Sequence, residues 1–192
     1  MSVVRRSPRL RRIGLASNVP ICHHQGMSAT DAESAEAIDF AFAAAREDGA
    51  WQVSPLPPRA ATELTVLLHA LGQLPSDSGT LGMVSVDEDF FVLIRVSGAH
   101  VRLLLSDVGA ATESPLARAV VDYLELPHPD DDDDKIQPAG DLSLVSDLGL
   151  PAMELGALCD DLDLYPDEVL SDIARRLGFG REFDEALAVV KT

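Results

Sequence analysis

Apolar and polar positions alternate most informatively between Leu81 and Asp107, LGMVSVDEDFFVLIRVSGAHVRLLLSD. Three short runs rich in Val, Ile, Leu and Phe are separated there by Asp87-Glu88-Asp89 and by Ser97-Gly98-Ala99-His100. Runs of that length, broken by turn-forming residues, predict a meander of three antiparallel strands. Upstream, Ile38, Phe40 and Phe42 alternate with Asp39, Ala41 and Ala43. A period of two argues for a strand over Ala37–Ala45, although the alanine content leaves a helix as a rival. A second strand over Ala50–Val53 follows the turn Glu47-Asp48-Gly49, and Ser54-Pro55-Leu56-Pro57-Pro58 ends the hairpin, because proline cannot donate to a ladder.

From Ala60 to Leu71 the period changes. Leu64, Leu67, Leu68 and Leu71 fall at i, i+3, i+4 and i+7, and Gly72 stands where a helix would stop. His69, beside that stripe, reads as partly exposed packing rather than a catalytic base. After the meander, Ser114-Pro115 forms an N-cap followed by a proline at the first helical position. Leu116, Ala119, Val120, Tyr123 and Leu124 supply the apolar face of that helix.

The predicted fold is α+β, a five-stranded antiparallel sheet in the order β-β-α-β-β-β-α followed by a C-terminal three-helix segment. Longin, roadblock and profilin-like domains share that element order, which carries no function with it. The three C-terminal helices show as stripes over Leu155, Leu158, Cys159 and Leu162, then Val169, Leu170, Ile173 and Leu177, then Phe183, Ala186, Leu187 and Val190. They suit either a small bundle or a layer on the sheet. The chain thus divides into an N-terminal extension (1–32), disordered or translated from an overlong gene start, a sheet domain (33–127), an acidic linker (128–139) and a helical segment (140–192).

Charge sharpens this picture. Residues 1–30 hold five Arg and no acids, whereas residues 31–129 carry 15 acids against 5 bases and residues 130–192 carry 17 against 5, so the part expected to fold holds −22. Such a surface repels phosphate backbones and anionic lipid heads and attracts basic partners, which argues against direct binding to nucleic acid or membrane. No apolar run approaches the roughly 20 residues of a membrane-spanning helix. Two cysteines, Cys22 and Cys159, make no disulfide framework, and a reducing cytoplasm follows as the expected compartment.

Candidate chemistry is thin. There is no P-loop, no GxGxxG, no GxSxG and no HxE with PCxxC of a zinc nucleobase deaminase. Cys22-His23-His24 lies in a tail and makes no closed metal site. The run Asp130–Asp134 has consecutive rather than alternating carboxylates, and Asp160-Asp161-Leu162-Asp163 lacks the acid and the glycine that a calcium loop needs at Tyr165 and Pro166. The reading is therefore of a protein without a catalytic residue, metal or cofactor, with an acid–base enzyme built from distant carboxylates as the alternative. Asp160, Asp161, Asp163 and Tyr165 combine charge with an aromatic anchor and stand as candidate partner-binding residues. Trp51 reads as core rather than interface.

The stretches AIDFAFAAAREDGAWQVSPLP (37–57), LGMVSVDEDFFVLIRVSGAHVRLLLSD (81–107) and GDLSLVSDLGLPAMELGALCDDLDLYPDEVLSDIARRLGFG (140–180) together resemble the bacterial tRNA adenosine deaminase-associated protein family. The likeness runs from about Glu33 to Leu187 and leaves out residues 1–30. It implies a partner, a tRNA adenosine deaminase, which converts the wobble adenosine of tRNA to inosine with a zinc-bound water. It supplies no catalytic residue for this chain. The expected function is an accessory protein that docks on that deaminase; a dimerising scaffold, paired through an edge strand or the C-terminal helices, is the alternative.

Overall fold

The computed structural model describes residues 37–129 and 136–191. The N-terminal extension with Cys22-His23-His24, and the acidic run Asp130–Asp134, lie outside the described residues. β1 (Ile38–Glu47) and β2 (Ala50–Pro55) form the first hairpin, its turn carried by Asp48 and Gly49 at φ 50° and 80°. Paired left-handed residues of this kind match the twist of a two-residue hairpin. β3 (Thr80–Val86), β4 (Phe90–Ser97) and β5 (His100–Leu105) form the predicted meander, all neighbours antiparallel.

Among the described residues the sheet has six strands rather than five, in the spatial order β2-β1-β3-β4-β5-β6. The sixth, β6, is only Ala139–Gly140, paired with Leu105 and Leu104. It comes from the boundary between the expected linker and the expected helical segment, and two residues are too few to leave a period in the sequence. Gly140 makes the pairing possible. It sits at φ 116°, and a Cβ there would run into the backbone carbonyl of Leu103.

Helices cover both faces. On one side lie α1 (Pro58–Ala61), α2 (Leu64–Gly72) and α3 (Pro115–Tyr123). The Ser114 hydroxyl accepts from the Ala117 N–H at 2.9 Å, as its place before Pro115 predicts. Leu64, Leu67, Leu71, Leu116, Val120 and Val121 pack there on Val84, Val92, Ile94, Leu103 and Leu105. α2 comes close enough that a Cβ at Gly82 would lie 2.6 Å from a Leu71 methyl, so any side chain at this central strand position would require Leu71 to shift.

The other face is covered by α4 (Ala152–Cys159), α5 (Pro166–Leu177) and α6 (Gly180–Val190). Leu155, Leu158, Leu170, Ile173 and Phe183 meet Phe40, Phe42, Met83, Phe91, Leu93 and Leu104. The Phe183 ring stands edge-on to Phe42 at 5.4 Å and to Phe40 at 5.7 Å. Trp51 is half-buried, its ring 4.6 Å from that of Phe179. The C-terminal helices are thus a layer on the sheet. The first of them ends at Cys159, which leaves Leu162 of the expected stripe in the following loop.

Between β6 and α4 the chain makes a hook through a 3₁₀ turn at Ser146–Leu148. One buried cation holds it. Arg95, on the same face of β4 as Phe91 and Leu93, is only 4% exposed and donates to the carbonyls of Ser78 (2.7 Å) and Leu144 (2.8 Å). Its guanidinium also grips both oxygens of Asp147. The hydrogen bonds from Arg95 hold the Asp147 carboxyl below its ordinary value of 3.8. The stabilisation is therefore present above that ordinary value and is lost as pH falls through the lower folded-state value. Asp147→Asn is expected to cost about 1–2 kcal/mol at pH 7, the lower part of the charge-assisted range, because solvent screens a half-exposed carboxylate. Denaturant titrations of both proteins across pH 2.5–7 should show the gap closing at the acid end; a constant gap would disprove the assignment.

Candidate functional site

An acidic cleft with apolar walls opens where the α4–α5 loop meets the sheet, at the end that carries the β3–β4 turn. Its volume is about 220 Å³. Phe91, Ser106, Leu158 and Val169 line its buried part, and Glu88, Asp89, Asp107 and Asp161 bring four carboxylates to it. Phe91 and Ser106 lock strands β4 and β5 together there. The Phe91 N–H donates to the Ser106 hydroxyl at 2.8 Å, and the Ser106 N–H donates to the Phe91 carbonyl at 3.0 Å.

The acidic rim is built by local geometry. Asp87 and Glu88 hold left-handed backbone at φ 51° and 56°, which bends the β3–β4 turn tightly. The Glu88 N–H is tied to Asp39 by a 2.8 Å hydrogen bond, and the Asp87 N–H to the Ala37 carbonyl at 2.9 Å. Asp107 accepts from the Gly109 N–H at 2.9 Å, capping the 3₁₀ turn that follows β5. Asp161 accepts from the Asp163 N–H at 3.2 Å and so shapes the α4–α5 loop. None of the four carboxylates is in an ion pair with a described residue.

Of the residues singled out from sequence, Asp161 and Tyr165 line this cleft, while Asp160 and Asp163 are exposed beside it and outside its lining. Tyr165 is 61% exposed, and its N–H donates to Glu168, which anchors the start of α5. Sequence reasoning missed Asp89, Leu162 and Ile136. Leu162 is 69% exposed and Ile136 54% exposed, both on the cleft. A leucine set among Asp160, Asp161 and Asp163 was the available signal, misassigned to the end of a helical stripe. His69 is exposed on α2, away from the cleft.

Burial pushes the Cys159 thiol up to about 12, so it is protonated and a poor nucleophile at neutral pH. Among the described residues no three His, Cys, Asp or Glu side chains converge as a metal ion requires. A second opening of about 450 Å³ lies between the free edge of β2 and α6, lined by Gln52, Val53, Glu182, Glu185 and Val189. No helix among the described residues is long and apolar enough to cross a membrane.

Layers of helix, antiparallel sheet and helix, with an acid-rimmed cleft at one end, define an α+β protein of a specific kind. The chain belongs to the Rv3753c-like tRNA adenosine deaminase-associated protein family, whose pattern it matches over residues 39–180. It is 40% identical over 153 residues to Protein Rv3753c of Mycobacterium tuberculosis, an alignment covering 79% of this chain and 87% of that one. No solved structure matches it.

Asp89 gives the cleft a measurable signature. Partial burial, then the nearby charges of Asp107, Asp87 and Glu113, raise its carboxyl above the ordinary 3.8. A carboxylate raised in the folded state binds its proton more tightly than in the unfolded chain. It therefore destabilises at neutral pH, and the penalty disappears as pH falls through the raised value towards the ordinary one. Asp89→Asn is expected to stabilise the protein at pH 7 by at most about 1 kcal/mol, given its exposure, with the gain gone by about pH 3, below the ordinary carboxyl value. Thermal melts of the pair at both pH values decide it; no stabilisation at pH 7 would contradict the crowding of charge.

Proposed function

We propose that this protein is a non-catalytic accessory factor that binds a tRNA adenosine deaminase in the cytoplasm and modulates it. Membership of a family described as associated with that enzyme is the observation that carries the reading. Physical chemistry supports it in two ways. The net charge of −22 over residues 31–192 favours a basic protein surface over the tRNA itself, since phosphates and carboxylates repel. A protein that acts on tRNA has reason to carry basic surface, and attraction between the two would speed their encounter.

An accessory role also fits the character of the cleft. Its carboxylates crowd one another, and its buried thiol is not a nucleophile. The alternative reading is a self-paired scaffold, favoured by one observation: β2 is an open sheet edge bordering a groove of about 450 Å³. An open edge exposes unpaired backbone groups that a second copy can use. Pro55, at the end of that strand, limits the pairing to a short stretch.

The test is a titration of the full chain into the deaminase encoded in the same genome, followed by calorimetry at several salt concentrations. A complex should form at low ionic strength and weaken about tenfold or more towards 0.5 M salt, as screening shortens the reach of the charges. No complex at any ionic strength would refute the accessory reading. Sedimentation of the chain alone distinguishes the scaffold: a monomer at high concentration excludes it.

A further inference from the structure

The cleft at the α4–α5 loop has an unusual pairing of properties. Its rim carries three of the large exposed apolar side chains of the described residues, Ile136, Leu162 and Tyr165. Single exposed apolar residues need no explanation, but several around one opening mark a surface that a partner covers. The same cleft is lined by Asp89 and Asp161, with no cation of the described residues in ion-pair contact, although nine described Arg and Lys side chains exist.

Resting on the accessory reading above, we propose that this cleft is where the deaminase docks, and that it receives a basic segment presenting an arginine beside an apolar side chain. The guanidinium would lie between Asp89 and Asp161 while its neighbour covers Leu162 and Tyr165. Size favours a side chain over a small-molecule ligand. At about 220 Å³ the cleft falls below the roughly 300–1,000 Å³ typical of ligand and cofactor pockets. Arginine suits it better than lysine, because its planar fork can serve two carboxylates and stack on the Tyr165 ring.

Charge complementarity selects this occupant over the others. A second copy would bring the same carboxylates to a two-fold contact, placing like charges together. Nucleic acid is repelled for the same reason. The chain's own Arg-rich residues 1–30 are the serious competitor, since the carbonyl of the first described residue, Ala37, accepts from the N–H of Asp87, the neighbour of the cleft residue Glu88. Those residues lie outside the span that the family shares, 39–180, whereas the rim residues lie inside it.

The experiment compares deaminase binding by the full-length chain with binding by Asp161→Arg, Leu162→Ser and Glu63→Lys. Asp161 and Leu162 are exposed, so both changes should leave far-UV circular dichroism intact, and Glu63 is an exposed acid at the start of α2. We expect each cleft change to weaken binding by about tenfold or more, and Glu63→Lys by less than about threefold. Equal binding by wild type and both cleft variants would overturn the docking site while leaving the accessory function standing. A wild type that fails to bind at all would remove the accessory function itself. Hydrogen-exchange protection of the rim in the isolated chain, lost on changing Arg5, Arg6, Arg9, Arg11 and Arg12 to Ser, would assign the cleft to the chain's own arginines and overturn the proposal. Dimerisation abolished by Asp161→Arg would assign it to a second copy, with the same consequence.

Discussion

β3 and β4, at the centre of the sheet, are buried on both faces for nearly their whole length. An antiparallel sheet commonly leaves one face to water, and its strands then alternate apolar with polar. Here Met83, Phe91 and Leu93 point to one side while Val84, Val92 and Ile94 point to the other. Either set left uncovered would expose several large side chains, at a cost of about 1.5–3 kcal/mol for each. Two helical layers are therefore required, and the helices after the linker are part of the core. The helical segment cannot be removed without stripping a face from the central strands.

The same constraint explains why an arginine is tolerated inside. The face under α4–α6 must be closed at the end of β4 by the hook that leads into α4. Arg95 meets two carbonyls and a carboxylate there, so its charge is matched at every donor position named. An ion pair between a buried guanidinium and a half-exposed carboxylate is a modest source of net stability, because desolvation of the arginine and screening of the carboxylate offset much of the attraction. Its value lies in registration. A hydrophobic residue at this position would cover the same area but would not specify where Ser146–Leu148 comes to rest. At the opposite end of the face the described residues form no such clamp. The α4–α5 loop stops short of the β3–β4 turn, and the gap between them is the cleft.

Much of this was legible in the sequence, and the failures share a cause. The strands β3, β4 and β5 announced themselves by β-branched and aromatic runs, and α3 by Ser114-Pro115. α2 showed in the spacing of its leucines, all three of the buried ones (Leu64, Leu67 and Leu71) falling on the predicted stripe. What escaped was set by tertiary contact. β6 exists because Gly140 can reach the backbone of Leu103, which no periodicity records. Leu162 continued the spacing of the α4 stripe, yet α4 ends at Cys159, and the spacing past a helix end is coincidence. Nothing in the sequence pattern marks Arg95; only the fold supplies the Ser78 and Leu144 carbonyls and the Asp147 carboxylate that hold it. Asp161 and Tyr165 were found by composition, whereas Asp89, 72 residues earlier in the numbering, joins them only through the sheet.

The acidity of the molecule bears on both stability and recognition. Thirty-two acids against ten bases beyond residue 30 mean that mutual repulsion opposes folding, and the cleft concentrates it. Asp89 meets the charges of Asp107, Asp87 and Glu113, and the β3–β4 turn that carries it holds two acids in left-handed backbone. A chain under no other demand would relieve this with one lysine or asparagine on the rim. Local strain and unmatched charge that persist beside exposed apolar side chains are characteristic of a surface completed by something else. A cation bound at the cleft would remove repulsion that the isolated fold has to bear. Binding and folding are then coupled through the same carboxylates: whatever neutralises them stabilises the protein in proportion to how tightly it binds.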